Sequence, residues 1–284
     1  RLNNYSIFVQ RTGSNIRDII YNFNEDQYKS TDLGFVAEHL FSDTQINALA
    51  RVQGKSSVLY ALCDDFTIAA VTLDRDYQIN AWAKIALGDS TDTIDAIYPY
   101  RDESLGSKPL SMAVLDDELY LLSLRYLSGD FKFCLEKMDL PWEKENVTES
   151  IGGVDTRYNQ VFLDYSGYFG PLDASSPTPT DTYILPYPFN SVDPVHVVAD
   201  GNYLGAITPV LDGSDYKLVL DDTYTEIRYG YAYRGVVWTA PAEQGGRVGT
   251  PVGRIKRIDE MVVSFFRSAN AQFGDAPDNL ETIP

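Results

Sequence analysis

Apolar and polar positions alternate with a period of two along most of the chain, which is the signature of half-buried β-strands. Ser57 to Leu73, SVLYALCDDFTIAAVTL, is the clearest stretch. Val58, Tyr60 and Leu62 share one face, Asp64-Asp65 turns the chain, and Phe66, Ile68 and Ala70 resume the alternation. That pattern predicts a hairpin. A third strand from Gln78 to Ile85 sets Ile79, Ala81 and Ala83 on one face and Trp82 on the other. The same order then returns. Leu110 to Leu115 is apolar, Asp116-Asp117 turns, Glu118 to Tyr126 alternates, Ser128-Gly129-Asp130 turns again, and Phe131 to Met138 closes the unit. An earlier copy starts at Ile7, turns at Thr12-Gly13-Ser14 and runs from Ile16 to Phe23. Only between Thr31 and Phe41 does the period change. There Leu33, Val36, Ala37 and Leu40 have helical spacing behind a Thr31-Asp32 cap, predicting one short helix.

Repeating units of about 40–45 residues with three or four strands suggest β-propeller blades, although any antiparallel meander gives the same period. Two or three blades do not close a ring that takes about four to eight. The chain also opens on Arg1 rather than Met, so we expect a piece of something longer. Pro141-Trp142 through Gly152-Gly153 reads as a linker. Beyond it, Val161 to Leu163, Tyr183 to Leu185, Val195 to Ala199, Tyr216 to Leu220, Thr225 to Tyr233 and Val236 to Thr239 are strand candidates. Asp200-Gly201-Asn202 and Asp212-Gly213 supply turns between them. Short strands in such succession, without intervening helices, predict a small β-sandwich and exclude a parallel α/β sheet. From Arg247 to Phe273 the residues Ile255, Ile258, Met261, Val262, Phe265 and Phe266 have partly helical spacing, but their β-branched and aromatic character favours a strand. The expected organisation is therefore all-β: incomplete propeller blades over 1–140, a linker over 141–153, an inserted sandwich over 154–244, and truncated return strands over 245–284.

Composition agrees with that class. In 284 residues, 44% are apolar and there are 20 Tyr and 13 Phe, enough for folded cores rather than a disordered chain. Lys and Arg total 23 against 41 Asp and Glu, a net charge of -18. Such a surface repels a phosphate backbone, which argues against sequence-reading of nucleic acid but not against DNA passing by. No apolar run approaches the length of a membrane span, and no signal peptide is visible.

Residues that could carry chemistry do not assemble into a catalytic pattern. His39 and His196 are the only histidines and stand apart. Cys63 and Cys134 each lie in an alternating apolar run, where cysteine acts as a small hydrophobe. Gly54-Lys55-Ser56 resembles the end of a phosphate loop but lacks the upstream glycine, and no nucleophile elbow is present. Paired carboxylates at Asp64-Asp65, Asp116-Asp117 and Asp221-Asp222 invite a glycosidase reading, yet each sits between strand candidates, where Asp is a common turn former. Asp74-Arg75-Asp76 and Asp212 to Asp215 lack the distal Glu of a calcium loop. We expect no catalytic, cofactor or metal residues. One cluster is unusual: Arg247, Arg254, Lys256, Arg257 and Arg267 concentrate positive charge in an acidic chain. It is either a patch that docks an acidic subunit or meets DNA in passing, or a strand edge kept positive against wrong pairing.

Four stretches together resemble the tail nozzle, or tail tubular protein B, family of short-tailed bacteriophages. They are Phe8-Val9-Gln10-Arg11 through Ile16-Arg17-Asp18-Ile19; Asp32 to Phe41, DLGFVAEHLF; Thr72-Leu73-Asp74-Arg75 with Asn80-Ala81-Trp82-Ala83; and Leu115 to Leu124 with Cys134 to Met138. Phe162-Leu163-Asp164, Val198 to Gly201 and Gly253 to Ile258 agree more loosely. Tyr120 stands where the family ordinarily has tryptophan. The resemblance implies a structural virion protein rather than an enzyme. It implies a homo-oligomeric, usually hexameric, ring at the lower end of the tail, made in the host cytoplasm. Such a ring retains and then conducts the double-stranded genome without sequence-specific binding, and seats tail fibres or an adaptor ring. A tail-borne polysaccharide hydrolase and a carbohydrate-binding propeller are the alternatives.

Overall fold

Val, Ile, Tyr and Phe at every second position favour a pleated surface with one face buried, and the chain takes that form. The computed structural model describes residues 5–53, 57–74, 77, 79–85, 87–88, 107–128, 130–138, 150–151, 154–155, 163–170, 179–189, 194–232, 235–237, 262–264, 272–276 and 279–282. Among these are 21 strands and one short helix, and every strand pairing is antiparallel, so the fold is all-β. Two compact units divide the chain, Arg1–Gly235 and Val236–Pro284.

Three sheets fill the first part of the larger unit. Strands β1 (Tyr5–Val9), β2 (Ile16–Asn22) and β3 (Gln27–Asp32) form the first. After the helix come β4 (Ile46–Gln53), β5 (Ser57–Cys63), β6 (Ile68–Asp74) and β7 (Ile79–Ile85), paired in that order as the central sheet. Strands β8 (Lys108–Leu115), β9 (Glu118–Leu127) and β10 (Asp130–Lys137) make the third. The inner strands of the central sheet, β5 and β6, are buried on both faces, whereas β7 at its edge is largely exposed. Leu59, Ala61, Cys63, Ala69 and Val71 pack toward Ile16 and Ile7 of the first sheet. Tyr60, Leu62, Ile68 and Ala70, with the opposite parity, pack toward Leu119, Leu121 and Val114 of the third. Burial on two sides explains why SVLYALC and IAAV read as almost continuous apolar runs.

The helix differs from its expected form. Thr31 and Asp32 end β3 rather than cap a helix, and a 3-10 helix spans Phe35–Leu40 with an interruption at Ala37. Asp32 Oδ1 instead accepts the Gly34 N–H at 2.9 Å, a local turn that competes with helix entry. Leu33, Ala37 and Phe41 are buried, whereas Val36 and Phe35 face solvent, so only part of the apolar stripe is used.

The rest of this unit begins with the two-residue strands β11 (Ser150–Ile151) and β12 (Val154–Asp155), which pair across the stretch expected as linker; residues 139–149 lie outside the described set. Strands β13 (Asp164–Phe169), β14 (Thr180–Leu185), β15 (Val195–Ala199), β16 (Asn202–Ile207), β17 (Val210–Asp212), β18 (Asp215–Tyr224) and β19 (Ile227–Tyr231) then build two sheets, ordered β13-β19-β15-β16 and β14-β18-β17. Alternate residues of both sheets meet in one core: Val195, Val197 and Ala199 with Ile227 and Tyr229 from one side, Tyr183, Leu185 and Leu218 from the other. This is sandwich packing. Asp200 (φ 43) and Gly201 (φ 79) form the β15–β16 turn, a left-handed pair that suits a tight hairpin. Val236 and Val237, expected to begin a strand, are not in one.

In the smaller unit β20 (Gln272–Ala276) pairs with β21 (Asn279–Thr282). The helix-or-strand question over 247–273 falls mostly outside the described residues; 262–264 are in neither element. No helix among the described residues is long and apolar enough to cross a membrane.

Trp82 ties the 3-10 segment to the central sheet. Its Nε1–H donates to the Leu33 carbonyl at 2.9 Å, Asn80 Nδ2 donates to the same oxygen at 3.1 Å, and Phe41 meets the indole edge-on at 5.2 Å. Trp82→Phe keeps the ring contact and loses one bond, so it is expected to cost about 1 kcal/mol in denaturant unfolding. Trp82→Ala, which also opens a cavity, is expected to cost about 3–5 kcal/mol.

Candidate functional site

The most concentrated chemistry in the larger unit is a buried cation. Along β9, Leu119, Leu121, Ser123, Arg125 and Leu127 share a buried face, so Arg125 occupies a position where the pattern calls for a hydrophobe. Its side chain is 1% exposed. Glu136 on the neighbouring β10 takes the guanidinium in a two-pronged grip, Nε to Oε1 at 2.5 Å and Nη2 to Oε2 at 2.6 Å. Nη1 donates to the Gly88 carbonyl at 2.6 Å and to Ser107 Oγ at 3.1 Å. The Tyr165 ring of β13 lies 5.1 Å from the guanidinium carbon. Ser123 Oγ also donates to Glu136, and the Gly88 N–H donates to Asp164. Burial opposes the charge on Arg125, but the Glu136 bonds and charge outweigh it and hold its pKa above the ordinary value. Burial likewise drives the Tyr165 phenol well above its ordinary range, and it stays protonated.

This node joins the third sheet, the segment after β7 and the first strand of the sandwich. Beside it Leu127 enters the sandwich core and Ser128 hydrogen-bonds Tyr216. Chemically it is a charge-assisted clamp, with every arm of the fork engaged. Sequence reasoning passed over it. The available signal was parity, because Arg125 falls in register with Leu119 and Leu121.

The carboxylate pairs divide. Asp116 (φ 51) and Asp117 (φ 60) form the β8–β9 turn in the left-handed region that Asp tolerates. Asp64 accepts from the Thr44 hydroxyl and from the Gln45 N–H at 2.9 Å, and Asp65 accepts from Thr67. Asp221 and Asp222, by contrast, lie inside β18 and not in a turn, because that strand runs on to Tyr224. A carboxylate buried entirely, Asp18 on β2, accepts the Thr31 N–H at 2.9 Å and belongs to the motif that resembles the phage family.

The histidines sit on separate elements. His39 is in the last turn of the 3-10 helix, and His196 stacks on Tyr203 with its Nδ1 2.7 Å from the phenol oxygen. Both cysteines are free thiols, and burial pushes Cys63 up to about 11, so neither its thiolate nor metal ligation is favoured at neutral pH. No group of three or more His, Cys, Asp or Glu among the described residues is placed to hold a metal ion. Arg247, Arg254, Lys256, Arg257 and Arg267 all lie outside the described residues. No family model matches the chain, and no curated protein matches it either.

Arg125→Met strands the Glu136 carboxylate and is expected to destabilise by about 3–5 kcal/mol in thermal or denaturant melts. Arg125→Met combined with Glu136→Met removes both charges and is expected to recover most of that loss, a coupling read from a double-mutant cycle.

Asp64 gives a pH signature. The Thr44 hydroxyl first, and the Gln45 N–H next, hold its carboxyl below the ordinary value of 3.8. A carboxyl lowered in the folded state stabilises above its unfolded value and stops doing so as pH falls through the folded one. Asp64→Asn is therefore expected to lower the melting temperature at neutral pH and to flatten its fall on acidification below the ordinary carboxyl range.

Proposed function

We propose that the chain is a structural component of a short-tailed phage tail, a nozzle-type subunit that works as part of a homo-oligomeric ring. The observation that carries this reading is where the family-like residues stand. Asp18, Asp32, Asn80 and Trp82, drawn from three of the four motif stretches, all hold the segment from Thr31 to Leu33 and Gly34 by hydrogen bonds. Residues used in this way are architectural joints rather than reactive groups. The stacked antiparallel sheets suit blades of a propeller, and the paired Asp residues stand in turns or within a strand.

Acidity then has a use. A surface with net charge -18 exchanges few counterions with DNA, so a duplex slides past without sticking. Fibres or an adaptor ring would dock on the outside. Light scattering and electron microscopy of the purified protein test the reading: hexameric rings are expected, and a chain strictly monomeric at every concentration would overturn it. Release of sugar from capsular polysaccharide, lost on replacing Asp pairs, would favour the hydrolase instead.

A further inference from the structure

Backbone strain gathers where the sandwich meets the third sheet. Tyr165, the second residue of β13, has φ 48, a left-handed conformation that a bulky side chain adopts only at a cost. It belongs to a bulge. Asp164 stands opposite Tyr231 and Gly167 opposite Tyr229, so Tyr165 and Ser166 together span the single Gly230 of β19. The bulge presses on that glycine, where a Cβ would come within 2.8 Å of the Asp164 carbonyl oxygen and 3.0 Å of the Ser166 Cα. The contacts it secures lie across the seam. The Tyr165 ring is 5.1 Å from the Arg125 guanidinium carbon, and the Asp164 carboxylate accepts the Gly88 N–H. Gly88 in turn offers its carbonyl to Arg125 at 2.6 Å. Arg125, Gly88, Asp164 and Tyr165 thus close a circuit in which the last two are neighbours on the strained strand.

We infer that this bulge is a catch between the sandwich and the three-sheet stack, with two registers of β13 as its set and released states. In the set state Asp164 opposes Tyr231 and Tyr165 bears the strain. In the released state Gly167 stays opposite Tyr229 and the strand runs straight from there. Ser166 then opposes Gly230, Tyr165 opposes Tyr231, and Asp164 moves on to oppose Ala232. That register takes Tyr165 out of the left-handed region. It also turns the Asp164 carboxylate to the other face of the sheet, away from Gly88, because a slip of one residue reverses a side chain. Strain therefore favours one register, and the Gly88 and Arg125 contacts favour the other. Opposed terms of this kind make a packed element bistable. Release unties the sandwich without unfolding it, since sandwich and stack have separate cores that meet at Leu127.

Alanine and glycine at position 165 test it, since both lack the ring and they differ in the backbone they prefer. In the otherwise unaltered chain, Tyr165→Gly is expected to protect the Gly167 and Tyr168 amides from hydrogen exchange about fivefold or more better than Tyr165→Ala. In a chain carrying Arg125→Met and Glu136→Met, which undoes the catch while removing both charges, the order is expected to reverse by about twofold or more. A straight strand favours alanine over glycine. Nuclear magnetic resonance reads the register itself. With Tyr165 in place, the cross-strand neighbour of Tyr231 is expected to change from Asp164 in the parent to Tyr165 in the double variant. Gly88→Ala springs the catch from the other side, because its Cβ would come 2.9 Å from the Ala232 carbonyl oxygen and 3.0 Å from Asp164 Oδ2. The same reversal is expected there, so the test survives a double variant that does not fold. Glycine ahead of alanine in every background, or Tyr231 still opposite Asp164 once the catch is undone, overturns the inference and makes the bulge a fixed part of the sandwich.

Discussion

The larger unit depends most on the guanidinium of Arg125. Sheets are two-dimensional objects held to one another by side chains alone, and apolar contact fixes their separation without fixing their relative angle. A planar fork that must satisfy Glu136, the Gly88 carbonyl and Ser107 at once has one arrangement in which all its bonds are made. Desolvating such a charge is expensive, and misplacing any partner leaves that cost uncompensated. The node therefore penalises other docking angles between the third sheet and the sandwich more than it favours folding as such. Tyr165 over the guanidinium and Leu127 in the sandwich core are positioned by the same residue neighbourhood.

A second constraint acts on β5 and β6 of the central sheet, where both faces are committed. A one-residue slip of β5 would exchange Leu59, Ala61 and Cys63 for Tyr60 and Leu62, bringing residues of another size into each core. The Asp64-to-Gln45 bond and the Trp82-to-Leu33 bond pin the sheet at either side of that risk. These polar contacts thus serve register, and the buried Asp18 against the Thr31 N–H does the same for the first sheet.

Alternation exposed the strands with one or two clean apolar faces: β5, β6, β9 and β15 could be placed from their residues alone. Strand β3, QYKSTD, could not, because it is nearly all polar and exposed and is held by backbone pairing to β2 rather than by a pattern of its own. The 3-10 segment was legible as a break in period but not in its form, since Asp32 spends its carboxylate on Gly34 instead of capping a longer helix. Asp221-Asp222 misled for a related reason: the residue type favours turns, but the pair falls in a register shift inside β18, between Val219 opposite Thr182 and Tyr224 opposite Thr180. Arg125 was hidden because charge within an alternating run reads as an outward residue unless the parity of the strand is followed to its end.

The surface chemistry follows from the same economy of apolar faces. A copy carrying -18 is repelled by another copy, and that repulsion extends over only about a Debye length, roughly 8 Å at physiological salt. On the proposed ring reading, contact between copies would have to come from uncharged area large enough to outweigh a screened long-range repulsion. On that reading, the same charge would make association weaker at low salt and stronger as salt rises. Binding to a phosphate backbone has the opposite sign, weakening with salt. For the proposed ring, ionic strength would therefore separate two kinds of contact: neighbouring copies would tighten with salt, whereas any hold on nucleic acid would weaken.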